Sequence, residues 1–129
     1  MLPTPTDAEL EILQALWAKQ PETVRYVNEQ VNKRRGPDQQ VGYTTTLKQM
    51  QVMLDKGLLK REIMDKNHLY SPALQQEVTQ SQVILDLAAK AFEGSASSLV
   101  MRAIGSGQAT PEELKQIKAL IEAMEQKRF

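Results

Sequence analysis

One histidine and no cysteine set a low ceiling on the covalent chemistry open to this 129-residue chain. Thiol catalysis, Cys-bearing zinc sites, iron–sulfur ligation and disulfide scaffolds all need residues it lacks. A nucleophilic triad needs an oriented base. The only imidazole is His68, beside a turn and without a candidate serine in a strained elbow nearby. No second His or Cys accompanies it, so it reads as a solvent-facing or phosphate-reaching side chain rather than a metal ligand. Glu112-Glu113 reads as the opening of a helix, where the macrodipole favours acids, and not as a catalytic dyad. Gly105-Ser106-Gly107 is not followed by the Lys-Ser/Thr of a phosphate loop and reads as a connector. The sequence offers no enzyme, no metal site and no cofactor.

Binding chemistry remains. Sixteen basic and sixteen acidic residues give a formal charge of zero, which excludes a histone-like polycation but not a local patch. Residues 23–61 hold eight basic side chains against Glu29, Asp38 and Asp55, an excess of five. Contacts to a phosphate backbone need such an excess, because each neutralised phosphate releases counterions. Within it, Lys33-Arg34-Arg35 lies in a breaker-rich stretch. Arg34 and Arg35 are solvated by default and become a backbone clamp if the unit binds DNA. Lys66, in a hairpin turn, is a further candidate. At about 100° per residue, Tyr43, Leu47, Met50 and Leu54 fall on one helical face and should meet a core. Thr45, Lys48, Gln49, Val52 and Lys56 fall opposite. Gln can bond adenine with both ends of its amide, and Thr or Val can meet a thymine methyl. Thr44 and Thr45, at the helix start, offer amides and hydroxyls to a phosphate.

These residues need elements to hold them. Thr6-Asp7-Ala8-Glu9 is a capping box. Behind it Leu10, Leu13, Leu16 and Trp17 recur at helical spacing, to about Lys19. Gln20-Pro21 stops that helix, and Thr23 caps a second over 24–33, with Val24, Val27 and Val31 on one face. A third follows Gly42 and runs to Lys56, with Gly57 as its stop. The period then changes: 58–64 and 67–71 read as strands around Asp65-Lys66, and Pro72 ends them. Helix, helix, helix, hairpin describes a winged helix-turn-helix over residues 1–73. Residues 74–129 read as three helices, over 75–92, 95–104 and 111–127, the last opened by Thr110-Pro111-Glu112-Glu113. The fold class is mainly α: a winged helix-turn-helix with a two-stranded wing, followed by a three-helix dimerisation region. Ile84, Leu87 and Phe92, together with Leu99 and the stripe Leu114, Ile117, Ile121, are the residues expected to pair two copies. A 56-residue tail is short for a core of its own. No stretch reaches the ~20 apolar residues of a membrane helix, and MLPTPTDAEL lacks a signal-peptide plan. The expectation is a soluble, cytoplasmic protein without a membrane partner.

Tyr43-Thr44-Thr45-Thr46 followed by Leu54-Asp55-Lys56-Gly57-Leu58-Leu59-Lys60-Arg61 resembles the recognition helix and first wing strand of the penicillinase-repressor (BlaI/MecI/CopY) family of bacterial regulators. Thr6-Asp7-Ala8-Glu9-Leu10-Glu11-Ile12-Leu13 and Trp17 are similar to its first helix. Leu69-Tyr70-Ser71-Pro72 is similar to its second wing strand, and Ser98-Leu99-Val100 with Pro111-Glu112-Glu113-Leu114 to its dimerisation region. The resemblance implies a homodimeric repressor on double-stranded DNA with a palindromic operator. Thr44, Thr45 and Lys48 would take the recognition role, and the wing would touch backbone. Gly42 departs from the Ser that several relatives use as the recognition-helix cap. Copper-responsive members carry clustered cysteines, which this chain lacks. β-Lactam-responsive members are cleaved at an Asn-Phe pair, where this chain has Arg102-Ala103, so any regulatory protease is unknown. Two other readings remain from the residues themselves. Winged helices also serve as protein-interaction adaptors, and the tail helices are open to a ligand pocket lined by Met101 and Met124.

Overall fold

The computed structural model describes residues 4–127. Its helices follow from the caps. Helix α1 (Asp7–Ala18) opens on the complete Thr6–Glu9 box, and α2 (Val24–Arg34) opens where the Thr23 hydroxyl accepts from the Tyr26 amide. A short 3-10 turn (Pro37–Gln39), unmarked in the sequence beyond its proline, leads to α3 (Tyr43–Lys56). Gly57 closes α3 at φ +83, and the Leu58 amide reaches back to the Met53 carbonyl at 2.9 Å. That six-residue closure needs a left-handed residue.

Strands β1 (Leu59–Met64) and β2 (Asn67–Pro72) pair antiparallel, with Arg61 opposite Tyr70 and Ile63 opposite His68. The two-residue turn holds both Asp65 and Lys66 at positive φ, +50 and +68, the geometry whose twist matches a hairpin. On its far side β2 bonds Glu22 through both main-chain groups of Tyr70, at 3.0 and 2.8 Å. Among the described residues no strand pairs with the other edge of β1.

The core of this head gathers Ile12, Leu13 and Leu16 of α1, Val24, Val27 and Val31 of α2, Met50 and Met53 of α3, and Leu58, Leu59 and Tyr70. Trp17 and Leu10 pack at its margin rather than inside it. The buried face of α3 is Thr46, Met50 and Met53. It lies to one side of the expected stripe: Leu47 is half-buried, and Tyr43 at the helix start is 47% exposed. One turn of helix at an element's end overhangs the core, and Tyr43 occupies that overhang.

The remainder is helical: α4 (Gln76–Ala91), α5 (Ala96–Gly105) and α6 (Pro111–Gln126), the last with a second complete capping box at Thr110–Glu113. By contacts the chain divides into residues 1–84 and 85–129, inside α4. In the second unit Ala88 is buried, but α5 and α6 bury no residue, and Met101 is 73% exposed.

Two glycines should respond to substitution with opposite signs. Gly57 is left-handed, with open space where a Cβ would go, so Gly57→Ala meets only the backbone penalty and should lose about 1 kcal/mol. Gly42 caps α3 at φ −72, also with open space and no side-chain cap bond. Gly42→Ser should gain a few tenths of a kcal/mol. Urea melts of the full chain followed by helical circular dichroism measure both.

Candidate nucleic-acid interface

Helix α3 is aimed by two amides on α2. The Asn28 side-chain amide donates to the Val41 carbonyl at 2.9 Å and to the Thr46 hydroxyl at 2.9 Å. Asn32 bonds Val41 in both directions, donating to its carbonyl and accepting from its amide, each at 2.8 Å. Asn28 and Asn32 are four residues apart and share a helix face. They fix Val41, two residues ahead of α3, and satisfy the buried Thr46 hydroxyl, which would otherwise cost about 1–3 kcal/mol. The sequence reading missed both, since an Asn in a helix carries no signal of what it holds.

Held this way, α3 presents Thr44, Thr45, Lys48, Gln49 and Val52 on one shallow trough, bordered by Thr6, Ala8 and Glu9 of the α1 start. The sequence-expected readers Thr44, Thr45, Lys48 and Gln49 are thus brought together. No side chain caps the Gly42 end of α3, which leaves its first amides pointing outward. Arg34 and Arg35 do not join this group. Arg34 donates to Gln14 of α1 at 2.6 Å. Arg35 grips Glu11 with two bonds of 2.9 Å, and that carboxylate raises the guanidinium's pKa further.

A second cleft, of about 540 Å³, separates α3 from the wing. Its walls carry Arg25, Arg61, Lys66 and His68, with Tyr43 and Gln51 from α3, and no acid. The alternation of β1 and β2 explains it. Leu59 and Tyr70 bury one face of the hairpin, and two residues further out the same face presents Arg61 and His68. Lys66 therefore faces a basic cleft, beside His68, which the sequence offered as solvent-facing or phosphate-reaching. Arg61 is an addition that period-two reasoning had the means to find, and Arg25, on α2, is one that only the packing beside the wing reveals.

Lys56 is a further departure. Placed by angle on the outward face, it instead bonds Glu9 at 2.8 Å. Glu9 is only 5% exposed. Burial pushes its carboxyl upward, but Lys56 and the Thr6 amide outweigh this and hold it below the ordinary carboxylate value. The pair ties the start of α1 to the end of α3.

Comparison with known proteins bears on the family and the fold. The chain matches the family model described as penicillinase repressor over residues 5–123. It is similar in fold to the solution structure of Bacillus licheniformis BlaI, solved in its monomeric form in complex with the blaP half-operator. The identity is 19% and the TM-score 0.50, over 60% of this chain and 89% of that one. No curated protein matches.

The Glu9–Lys56 tie should show in acid. A lowered carboxyl stabilises fully above its ordinary value of about 4.5, and that share is lost as pH falls through the lower folded value. Glu9→Gln keeps a capping acceptor but removes the charge. It should cost about 1 kcal/mol at neutral pH, the upper end for pairs open to water on one side. It should also flatten the fall in stability below pH 4.5, measured by urea midpoints across the acid range.

Proposed function

The chain belongs to the penicillinase repressor family, whose members are DNA-binding transcriptional regulators and not enzymes, and we propose that it works as a homodimer on a dyad-symmetric operator. The carrying observation is the outer face of α3. It offers hydroxyls, an amide and a cation in one trough, beside a basic cleft. This is the equipment of base-edge reading next to a phosphate strand. The BlaI structure of similar fold holds a half-operator, which supports the same use of this head. A protein-interaction adaptor is told apart by duplex binding, which falls steeply with salt for a DNA reader and is absent for an adaptor. The reading requires the chain to act in the cytoplasm, with the chromosome. Among the described residues, no helix is long and apolar enough to cross a membrane.

The second copy follows from the tail. Leu87, Leu114 and Ile121 are exposed, as are Leu120 and Met124, while Phe92, Leu99 and Ile117 are half-buried. Ile84, the last residue of the first unit, is exposed as well. Two linked heads bind a palindrome with an effective-concentration gain that neither has singly. Arg102-Ala103, which replaces the Asn-Phe pair, lies inside α5. A protease specific for Asn-Phe would leave it intact.

Light scattering at micromolar concentration should give about twice the 14.5 kDa protomer mass, and Leu120→Glu with Ile121→Glu should halve it. A persistent protomer in the parent protein sinks the dimer. Selection of duplexes from a random library tests the reading of bases. Thr45→Ala and Lys48→Ala should weaken the selected site, and Gln49→Ala should shift base preference, by ~1–3 kcal/mol for each good contact. An unchanged preference would remove Gln49 from the readers.

A further inference from the structure

The wing projects well past what packing requires. Beyond the buried Tyr70 and its partner Arg61, three more residue pairs extend to the turn, a reach of about 10 Å at ~3.4 Å per residue. No residue of β1 past Leu59 is buried. The tip then collects an unusual set. Ile63 is 63% exposed and Met64 53% exposed, followed by Asp65, Lys66 and Asn67, all open to water. Two neighbouring apolar side chains at the end of a protruding hairpin contribute nothing to the core. Cation, amide and exposed apolar side chains are, however, the chemistry with which proteins enter the minor groove of duplex DNA.

The cleft decides where that tip goes. Its walls hold Arg25, Arg61, Lys66 and His68 and no carboxylate, so its complement is a polyanionic strand. In a duplex, the sugar–phosphate strand is the ridge between the two grooves. A strand seated in the cleft has α3 on one side, in the major groove, and the wing tip on the other, over the minor groove.

Resting on the DNA-binding reading above, we propose that the wing tip is a minor-groove reader, with Lys66 and Asn67 selecting A·T-rich sequence flanking the bases read by α3. The minor groove distinguishes A·T from G·C mainly by the guanine amino group, and narrow A·T tracts concentrate negative potential that attracts a cation. Lys66 is held at φ +68 in the turn, which fixes its backbone at the point of farthest reach. Asp65 stands beside it at φ +50. Asp tolerates this conformation well, so turn geometry accounts for it, and its charge opposes the contact.

The test uses the full chain and the duplex recovered by selection, with its flanking A·T pairs replaced first by G·C and then by inosine·C. Inosine lacks the guanine amino group, so it restores an A·T-like minor groove while keeping a G·C-like major groove. Binding should fall about fivefold on G·C flanks and recover on inosine·C flanks. Lys66→Gly, which suits the turn, should abolish that difference, and Asp65→Asn should tighten binding to A·T flanks. Equal binding to all three flanks would overturn the proposal, leaving the wing with phosphate contacts only. Loss on both G·C and inosine·C flanks would overturn it too, because the reading would then be in the major groove. Retention of the difference in Lys66→Gly would remove Lys66 from the role. Failure to recover any duplex would strike the DNA-binding reading itself, and is distinct from these outcomes.

Discussion

The orientation of α3 depends on two side-chain amides more than on any apolar contact. Hydrophobic packing is non-directional, and a helix that buries Thr46, Met50 and Met53 has latitude to rotate by several degrees. Hydrogen bonds from Asn28 and Asn32 to Val41 and Thr46 remove it. They bind the loop end and the first turn of α3 to α2, so the trough of Thr44, Thr45, Lys48 and Gln49 is set with respect to the whole head. Glu9 and Lys56 do the same at the helix's other end. The proposed reading of bases demands side chains held to a fraction of an ångström, and both ends of α3 are pinned by polar contacts that a misregistered packing would break.

Head and tail solve the burial problem differently. The head closes a core of aliphatic side chains with Tyr70 at its edge. The second unit buries Ala88 but leaves α5 and α6 with no buried residue. Small helical units cover too little of their own apolar surface to be stable on that account. The same deficit that weakens such a unit by itself would supply the driving force for the proposed dimer.

Local signals were legible in the sequence. Both capping boxes are present as read, at Thr6–Glu9 and Thr110–Glu113, because a cap involves residues three apart and little else. Gly57 and the Asp65-Lys66 turn were legible for the same reason. The buried face of α3 was displaced from the expected stripe, since an angular plot treats every position as equally covered, and Tyr43 overhangs the core. Pairs joined across the fold were not legible. Glu9 and Lys56 are 47 positions apart, and Glu11 and Arg35 are 24 apart. Their charges looked solvent-bound because nothing local indicates which surfaces the packing will bring face to face.

The hairpin has one guarded flank and one open. Glu22 occupies the outer edge of β2, while the outer edge of β1 carries main-chain groups without a strand partner among the described residues. Such an edge is a template for uncontrolled strand addition and aggregation. The run along it is Lys60-Arg61-Glu62. Two antiparallel copies of β1 in register about Arg61 would set guanidinium against guanidinium, but would also set each copy's Lys60 opposite the other's Glu62, an attractive pair made twice. What guards the edge is the water that its charged side chains hold, not repulsion between copies.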